Sequence, residues 1–496
     1  MSERIEITLV SHTNVGKTTL VRTLLRRDIG EVADRAHVTD RSEAHVLIET
    51  AAGDELVLWD TPGFGDSARL LRRLLASENP IGWLQSQVWD RFTDRPFFSS
   101  QQAVRSVRDH THVVLYLVNA AEAPSAAAYV QAEVRILGWI GKPVIVLLNQ
   151  TGPARGREAD AIDESEWSRH LAAHVGTHRV MAFDGFARCW VQEDSLLGAV
   201  EHVLPPEHRA AFARLREAWR ARNLEVFDES MRVLARQLAA MAADREGVAE
   251  AGGARGLAQG AKRLLASFKG EAVAADAASE RAMASLATRL DRSVRESTDR
   301  LIALHGLSGR AGERILARIA EQFDLALPAD VNASGMLGGV VSGALGGLMA
   351  DLSAGGLTFG AGALLGGVLG ALGAGGAAQA YNALRGTNEG RVCWSPAFLA
   401  ERPAAALLRY LAVAHYGRGR GEWVEAEYPA HWRPLVESVV GRHREGFEAA
   451  WAQAGEGALP GAVAARLEPV LAECAQAALG TLYPESAALF DRQPQE

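Results

Sequence analysis

Short apolar runs alternate with amphipathic stretches along the first 200 residues of the chain. Residues 5–10, 57–59 and 143–148 are short apolar runs that indicate buried strands, and residues 44–50 are strand-like. Parallel strands need long crossover connections, which are usually helices. The pattern therefore predicts an α/β domain over residues 1–204, with a mostly parallel six-stranded sheet flanked by helices. It also predicts a helical insertion at residues 66–110.

The remainder of the chain is rich in alanine and arginine, and its apolar residues recur at helical spacing. The stripe that runs from Phe212 to Leu238 predicts one long amphipathic helix. Further helices are predicted over residues 277–304 and 311–323. The sequence thus divides into a helical domain, a glycine-rich hydrophobic hairpin and a C-terminal helical region, at residues 205–330, 331–380 and 381–496.

Residues 331–378 contain no Lys, Arg, Glu or His, and Asp351 carries their single charge. Glycines recur every four residues, as at Gly339, Gly343 and Gly347, which aligns them on one helix face and lets two backbones approach closely. Each arm is close to the ~20 residues that span a bilayer. We expect a glycine-zipper-like hairpin that inserts into a membrane. A hairpin buried in the helical bundle and a flexible linker are the two alternatives.

Composition limits the function further. A chain of 496 residues is too long for a single core. The net charge of −8 argues against a broad basic face for nucleic acid. The three cysteines have no metal or disulfide spacing, and the N-terminus has no secretory signal. We expect a cytoplasmic location, peripheral or integral at the inner membrane.

The most informative motif is Ser-His-Thr-Asn-Val-Gly-Lys-Thr at residues 11–18, directly after the first apolar run. It predicts a phosphate-binding loop before a helix, whose backbone N–H groups and positive N-terminus favour an anion. Lys17 would reach the β- and γ-phosphates, and the Thr18 hydroxyl would ligate Mg²⁺. The loop departs from the usual pattern at its first position, where serine replaces glycine. The residues expected to contact the nucleotide here are Ser11, Asn14, Val15, Gly16, Lys17, Thr18 and Thr19.

A second motif, Asp-Thr-Pro-Gly, follows the apolar run at residues 57–59. Asp60 is placed to hold Mg²⁺ through water, and the Gly63 N–H to sense a γ-phosphate. Thr39, in the polar segment between the two motifs, is the candidate switch threonine that ligates Mg²⁺ in the triphosphate state. The predicted catalytic residues are Lys17, Thr39 and Gly63, and the predicted Mg²⁺ ligands are Thr18, Thr39 and Asp60.

These motifs and their spacing resemble the P-loop GTPases of the TrmE–Era–EngA kind, over about the first 190 residues. The resemblance implies a GTPase fold with Mg²⁺ as cofactor. It also implies that Asn14 can help to hold a K⁺ ion beside the phosphates. Phe64 stands where Ras-type enzymes have their water-positioning glutamine, which implies slow turnover stimulated by K⁺ or self-association. Residues 206–496 resemble the helical C-terminal region that accompanies some bacterial GTPase domains.

Base recognition departs from the family pattern Asn-Lys-x-Asp. The chain has Asn149-Gln150-Thr151-Gly152, so Asn149 remains while the carboxylate that pairs with guanine is missing. GTP is expected from the resemblance, and ATP or loose selectivity stays open. Asp184, after the last predicted strand, could supply part of the missing acid.

The sequence therefore predicts a GTP-binding, GTP-hydrolysing switch associated with a membrane through the hairpin. The alternatives are a soluble GTPase of ribosome or RNA assembly and a nucleotide-binding scaffold with negligible turnover. Expected partners are GTP or GDP, membrane lipid, and a second copy or a helical protein, whereas nucleic acid is not expected. The insertion would transmit the switch or simply pack as an extra helical pair.

Overall fold

The computed structural model describes ten stretches of the chain: residues 2–26, 42–79, 82, 95–151, 156–172, 177–185, 189–248, 277–307, 390–416 and 429–490. Thr39, Gly152, the predicted helix at 311–323 and the predicted hairpin at 331–380 lie outside these residues. Among the described residues, no helix combines the length and the apolar character needed to cross a membrane.

A six-stranded sheet organises the N-terminal part, as the apolar runs predict. Its strands lie in the order β2-β3-β1-β4-β5-β6, and every neighbouring pair is parallel except the antiparallel β2–β3 pair. The strands are β1 (Arg4–Ser11), β2 (Glu43–Glu49), β3 (Glu55–Asp60), β4 (Val113–Asn119), β5 (Val144–Asn149) and β6 (Thr177–Ala182).

Helices cover both faces of this sheet. They are α1 (Lys17–Leu25), α2 (Ser67–Leu75), α3 (Arg95–His110), α4 (Ala128–Ile140), α5 (Arg157–Leu171) and α6 (Trp190–Val203). Helices α2 and α3 lie within residues 66–110, and the helical insertion there remains a prediction. Because side chains alternate along a strand, Ile7 and Leu9 of β1 join the core on one face while Val10 joins the core on the other. Both faces of the sheet are therefore buried in apolar cores. Because a shift of one residue would exchange the side chains on the two faces, this burial fixes the register of the strands whose ends carry the motifs.

The long helix α7 (Pro206–Ala243) confirms the stripe from Phe212 to Leu238. Its first part packs on the sheet domain through buried Phe212 and Trp219. Arg214 of this helix makes a bidentate ion pair with the buried Asp54 in the β2–β3 turn, at 2.8 and 2.9 Å. The same carboxylate accepts a hydrogen bond from the backbone N–H of Glu3 at 3.0 Å.

Two compact units divide the chain. The first comprises the described residues of Met1–Phe227, Ala414–Glu425 and Ala478–Glu496, and the second those of Asp228–Val413 and Ala426–Ala477. The sheet unit thus includes the start of α7 and the C-terminal 3₁₀ helix Pro484–Phe490. The boundaries drawn from the sequence at 204, 330 and 380 remain a proposal.

The second unit is mainly helical. It contains the second half of α7, from Asp228 onward. It also contains α8 (Ala277–Leu304), nearly all of α9 (Pro396–Ala414), α10 (Trp432–Arg442), α11 (Arg444–Gly455) and most of α12 (Pro460–Leu482). The buried Arg409 of α9 donates to Gln237 Oε1 at 2.9 Å and to the Val294 carbonyl at 3.1 Å, so residues from both sides of the predicted hairpin meet here.

A small two-stranded sheet in this unit was not predicted. Strand β7 (Arg245–Val248) pairs antiparallel with β8 (Gly390–Cys393), with Val248 opposite Gly390. Four-residue strands are too short to show a periodicity of their own. Helix α8 contacts both strands.

Candidate functional site

The loop between β1 and α1 has the backbone that a phosphate-binding loop requires. Gly16, immediately before α1, has φ 95° and ψ 25°, in the left-handed region where a side chain is strained. A Cβ at this position would lie 2.8 Å from Asn149 Nδ2, so glycine is needed for space as well. Asn14 also adopts a positive φ of 66° and is exposed. Leu20 N–H donates to the Gly16 carbonyl at 3.0 Å, which starts the helix at Lys17.

Lys17 is buried at this helix start. Its Nζ donates to Ser11 Oγ at 3.3 Å, so the serine that replaces the usual glycine contacts the lysine. Burial lowers the pKa of Lys17, while the charges of Asp60 and Glu133 raise it in part. The structure therefore brings the lysine, the loop and two carboxylates into one region.

Asp60 lies at the carboxyl end of β3, as expected, and is 4% exposed. Thr18 Oγ1 donates to Asp60 Oδ2 at 3.0 Å. Asp60 Oδ1 is buried and has no hydrogen-bond partner among the described residues. Burial raises the pKa of Asp60, and the Lys17 charge and the Thr18 hydrogen bond oppose that rise. A buried carboxylate oxygen without a donor, beside a threonine hydroxyl, fits an oxygen-ligated Mg²⁺ ion.

The turn that contains Gly63 lies against the phosphate loop. Thr13 N–H donates to the Phe64 carbonyl at 3.1 Å, and Phe64 N–H donates to the Ser11 carbonyl at 2.9 Å. A Cβ on Gly63 would lie 3.0 Å from Thr13 Cα and 3.2 Å from Lys17 Nζ. The two motifs, remote in sequence, are thus in backbone contact. The Phe64 side chain is fully buried and belongs to the core cluster that contains Val10 and Leu70.

Asn149 joins three segments at the far end of the loop. Its Nδ2 donates to the Val15 carbonyl at 2.7 Å, and its Oδ1 accepts from Gly185 N–H at 2.8 Å. Next to it, Asp184 Oδ2 accepts from Thr151 N–H and Thr151 Oγ1, both at 3.2 Å. An acid therefore does contact the loop in which the family pattern places its aspartate.

Most of the predicted site residues converge in this region. Thr19 is buried on the first turn of α1, while Val15 supplies a backbone carbonyl and a side chain to the core. Thr39 is the predicted site residue that lies outside the described residues.

A buried carboxylate that the sequence did not predict, Glu133 of α4, lies near the phosphate loop. Its Oε1 lies 2.7 Å from Nδ1 of His12, and its Oε2 accepts from the Tyr116 hydroxyl at 2.7 Å. An available signal was its position among Val130, Ile136 and Leu137 on the apolar face of α4, where an acid needs a partner.

Comparisons with known proteins agree with this geometry. The family model described as "50S ribosome-binding GTPase" (MMR_HSR1) matches residues 6–150. The model described as "Domain of unknown function (DUF3482)" matches residues 169–466. None of the curated proteins compared with the chain matches it.

Among solved structures, an Era variant of Aquifex aeolicus bound to GDP and AlF4⁻ is 17% identical, with a TM-score of 0.30 over 41% of this chain and 57% of that one. Era in complex with MgGDPNP and a 16S ribosomal RNA fragment is also 17% identical, with a TM-score of 0.30 over 41% of this chain and 58% of that one. NFeoB from S. thermophilus bound to mGMPPNP is 16% identical, with a TM-score of 0.23 over 45% of this chain and 77% of that one. The chain spans less than two thirds of the two Era chains.

The N-terminal region is thus a GTPase domain, as its motifs predict. The DUF3482 model, which matches residues 169–466, covers more than half of the chain. The chain therefore belongs to the family described as "Domain of unknown function (DUF3482)" and carries, ahead of the matched region, a domain similar to the 50S ribosome-binding GTPases.

Proposed function

We propose that the protein is a molecular switch that binds GTP and hydrolyses it to GDP and phosphate. The observation that supports this most directly is the convergence of Lys17, Thr18 and Asp60, with the Gly63 turn in backbone contact with the phosphate loop. Helix N-termini and the carboxyl ends of parallel strands commonly bind phosphates, which supports the proposal.

The chemistry is attack of water on the γ-phosphorus, with cleavage of its bond to the β–γ bridging oxygen. Lys17 and the loop N–H groups stabilise the negative charge that develops on the phosphate oxygens. Thr18 and Asp60, with Thr39, would hold Mg²⁺, which when bound neutralises the same charge. Asn14 would contribute to a K⁺ site. Because the Phe64 side chain has no hydrogen-bonding group, it cannot orient the water as a glutamine would, and intrinsic turnover should be slow.

For the base we propose guanine, recognised with the help of Asp184. Guanine presents two neighbouring donors on its Watson–Crick edge, and a carboxylate accepts both, whereas adenine presents an acceptor beside a donor. Asp184 contacts Thr151, one residue before the position at which the family pattern has its aspartate. ATP remains the competing ligand.

Hydrolysis in Mg²⁺ and K⁺, measured as phosphate release at several protein concentrations, tests the proposal. Lys17→Ala should lower GTP affinity and turnover by at least about tenfold, since it removes a charged group from the phosphates. Lys142→Ala, the same charge change in the turn before β5, is the matched control and should behave as wild type. Normal hydrolysis by Lys17→Ala would refute the site, and binding without phosphate release would favour the scaffold alternative.

Membrane attachment through residues 331–378 is a separate part of the proposal, supported by composition and glycine spacing alone. Fractionation with a carbonate wash tests it, comparing the full chain with a variant that lacks these residues. A full chain that stays in the soluble fraction would refute attachment and favour the soluble assembly GTPase.

A further inference from the structure

The end of β6 leads into the segment that carries Asp184, and residues 182–185 are here called the base loop. Three successive residues of this loop are hydrogen-bonded to the end of β5 and the residues just after it. These bonds are Phe183 N–H to the Leu148 carbonyl at 2.9 Å, Thr151 N–H to Asp184 Oδ2 at 3.2 Å and Gly185 N–H to Asn149 Oδ1 at 2.8 Å. The first residue of the base loop is anchored to a different element.

That fourth anchor is Glu164, a carboxylate on α5. Ala182 N–H donates to Glu164 Oε1 at 2.8 Å, and Arg157 Nη1 donates to Glu164 Oε2 at 3.0 Å. Hydrogen bonds from an N–H to a carboxylate are stronger than those between neutral groups. Glu164 therefore holds the start of the base loop with one oxygen, while its other oxygen is fixed by Arg157.

Arg157 is held in turn by the C-terminal 3₁₀ helix. Its Nη2 donates to Glu485 Oε1, and Arg179 Nη2 of β6 donates to Glu485 Oε2 at 2.9 Å. Glu485 thus contacts two arginines that lie 328 and 306 residues earlier in the sequence. Hydrogen bonds run without a break from Glu485 through Arg157 and Glu164 to the backbone of the base loop.

The 3₁₀ helix is also fixed by apolar contacts. The Phe490 ring lies 5.8 Å from the Trp190 ring of α6 and 5.7 Å from the Phe227 ring of α7, measured between centroids. Leu489 is buried. These contacts attach the C-terminal segment to the sheet unit without help from Glu485, so its carboxylate is presented to Arg157 from a packed support.

Stability alone explains the ionic contacts less well. The side chains of Arg157, Arg179 and Glu485 are 35%, 44% and 39% exposed, and ion pairs as exposed as these stabilise a fold very little. The informative feature is where the contacts lead, which is the backbone two residues before Asp184.

We propose that Glu164 is a positioning residue for base recognition, and that Glu485 sets its position through Arg157. This inference rests on the proposed function, in which Asp184 accepts from the edge of guanine. The C-terminal segment then determines how well that carboxylate is aligned with the base. Loss of either acid should weaken recognition of the base and leave the phosphate contacts as they are.

The test compares affinities for fluorescent GDP and inosine diphosphate, measured in Mg²⁺ on the full chain. Inosine lacks the exocyclic amine, one of the two donors that a carboxylate accepts from guanine, so the ratio of the two affinities reports on alignment of the base loop. Glu164→Gln should lower the preference for GDP about threefold to tenfold, because an amide has one acceptor for two donors. Glu485→Gln should lower it about twofold to fivefold, the range of an exposed ion pair.

Glu166→Gln is the matched control, since it makes the same change at an exposed position of the same helix. It should leave the ratio unchanged. Because Glu485 acts through Glu164, the double variant should lose no more than Glu164→Gln alone. Glu485→Gln alters an exposed ion pair and tests the proposal even if Glu164→Gln folds poorly.

The outcomes separate this inference from the proposed function. If the wild-type protein prefers GDP and both variants keep that preference, the positioning role is refuted while the proposed function stands. Losses that add in the double variant, or an equal loss in Glu166→Gln, would refute the path from Glu485 to the base loop. A wild-type protein that binds both diphosphates equally, or neither, would refute the proposed recognition of guanine, and the positioning role with it.

Discussion

Replacing Gly63 with alanine adds one methyl group at the contact between the two motifs. The new Cβ would lie 3.0 Å from Thr13 Cα, 3.1 Å from Thr13 N and 3.2 Å from Lys17 Nζ. Ordinary carbon contacts are about 3.5–4.0 Å, so the neighbours would have to move by several tenths of an ångström. The lysine end can move, but the Thr13 backbone is held by its hydrogen bond to the Phe64 carbonyl at 3.1 Å.

Overpacking of this kind costs about 1–3 kcal/mol. The added methyl group destabilises the arrangement in which the Gly63 turn lies against the phosphate loop, and a bound γ-phosphate requires that arrangement. We therefore expect the affinity of Gly63→Ala for a non-hydrolysable GTP analogue to fall about 5- to 140-fold, at about 1.4 kcal/mol per factor of ten. The affinity for GDP should fall much less, because GDP lacks the γ-phosphate that the Gly63 turn would contact.

Titration with fluorescent analogues, together with single-turnover hydrolysis, measures both effects. Gly480→Ala is the matched control, since it adds the same methyl group to α12 where no atom lies within 4 Å. It should leave nucleotide binding unchanged and stabilise the helix by about 0.5–1 kcal/mol. If Gly63→Ala bound the GTP analogue and hydrolysed GTP within twofold of wild type, the steric reasoning would be refuted.

Two further predictions concern the base and an ion pair. Asp184→Asn should weaken GTP by about tenfold or more and favour xanthosine triphosphate, whose C2 carbonyl suits an amide donor; competition binding measures this, and equal GTP affinity would mean that the base is recognised elsewhere. The Arg214 guanidinium lowers the pKa of Asp54 to about 2, below its value of about 3.9 in an unfolded chain. The pair therefore stabilises the fold fully above pH 4, and this contribution is lost as the pH falls from 4 to 2. Melting curves should show Arg214→Gln less stable than wild type at pH 7 and 5, with the difference shrinking towards pH 2; a constant difference would contradict the assignment.

Local patterns predicted the sheet and the phosphate loop well. Each of the signals used was local in sequence, contained within one strand or one turn. They were the apolar run before Ser11, the Gly-Lys-Thr sequence and the position of Asp60 at a strand end. The structure places Lys17, Thr18 and Asp60 together because parallel strands end at the same edge of the sheet.

Contacts between distant segments could not be predicted in the same way. His12 and Glu133 are 121 residues apart, and neither lies in a pattern that indicates the other. Strands β7 and β8 are further apart still, and the pairing of their four residues follows from tertiary packing against α8. Burial of an acid on an apolar helix face indicates that a partner exists, but the partner's identity depends on the fold.

The pairing of β7 with β8 has a consequence for the chain between them. Because the two strands are antiparallel, with Val248 opposite Gly390, the two ends of the chain segment 249–389, which includes α8, are held side by side. The entropy of closing such a loop grows only with the logarithm of its length, at about 0.6 kcal/mol for each doubling. A change in the number of residues between the two strands therefore alters the entropy of closing the β7–β8 pair only slightly.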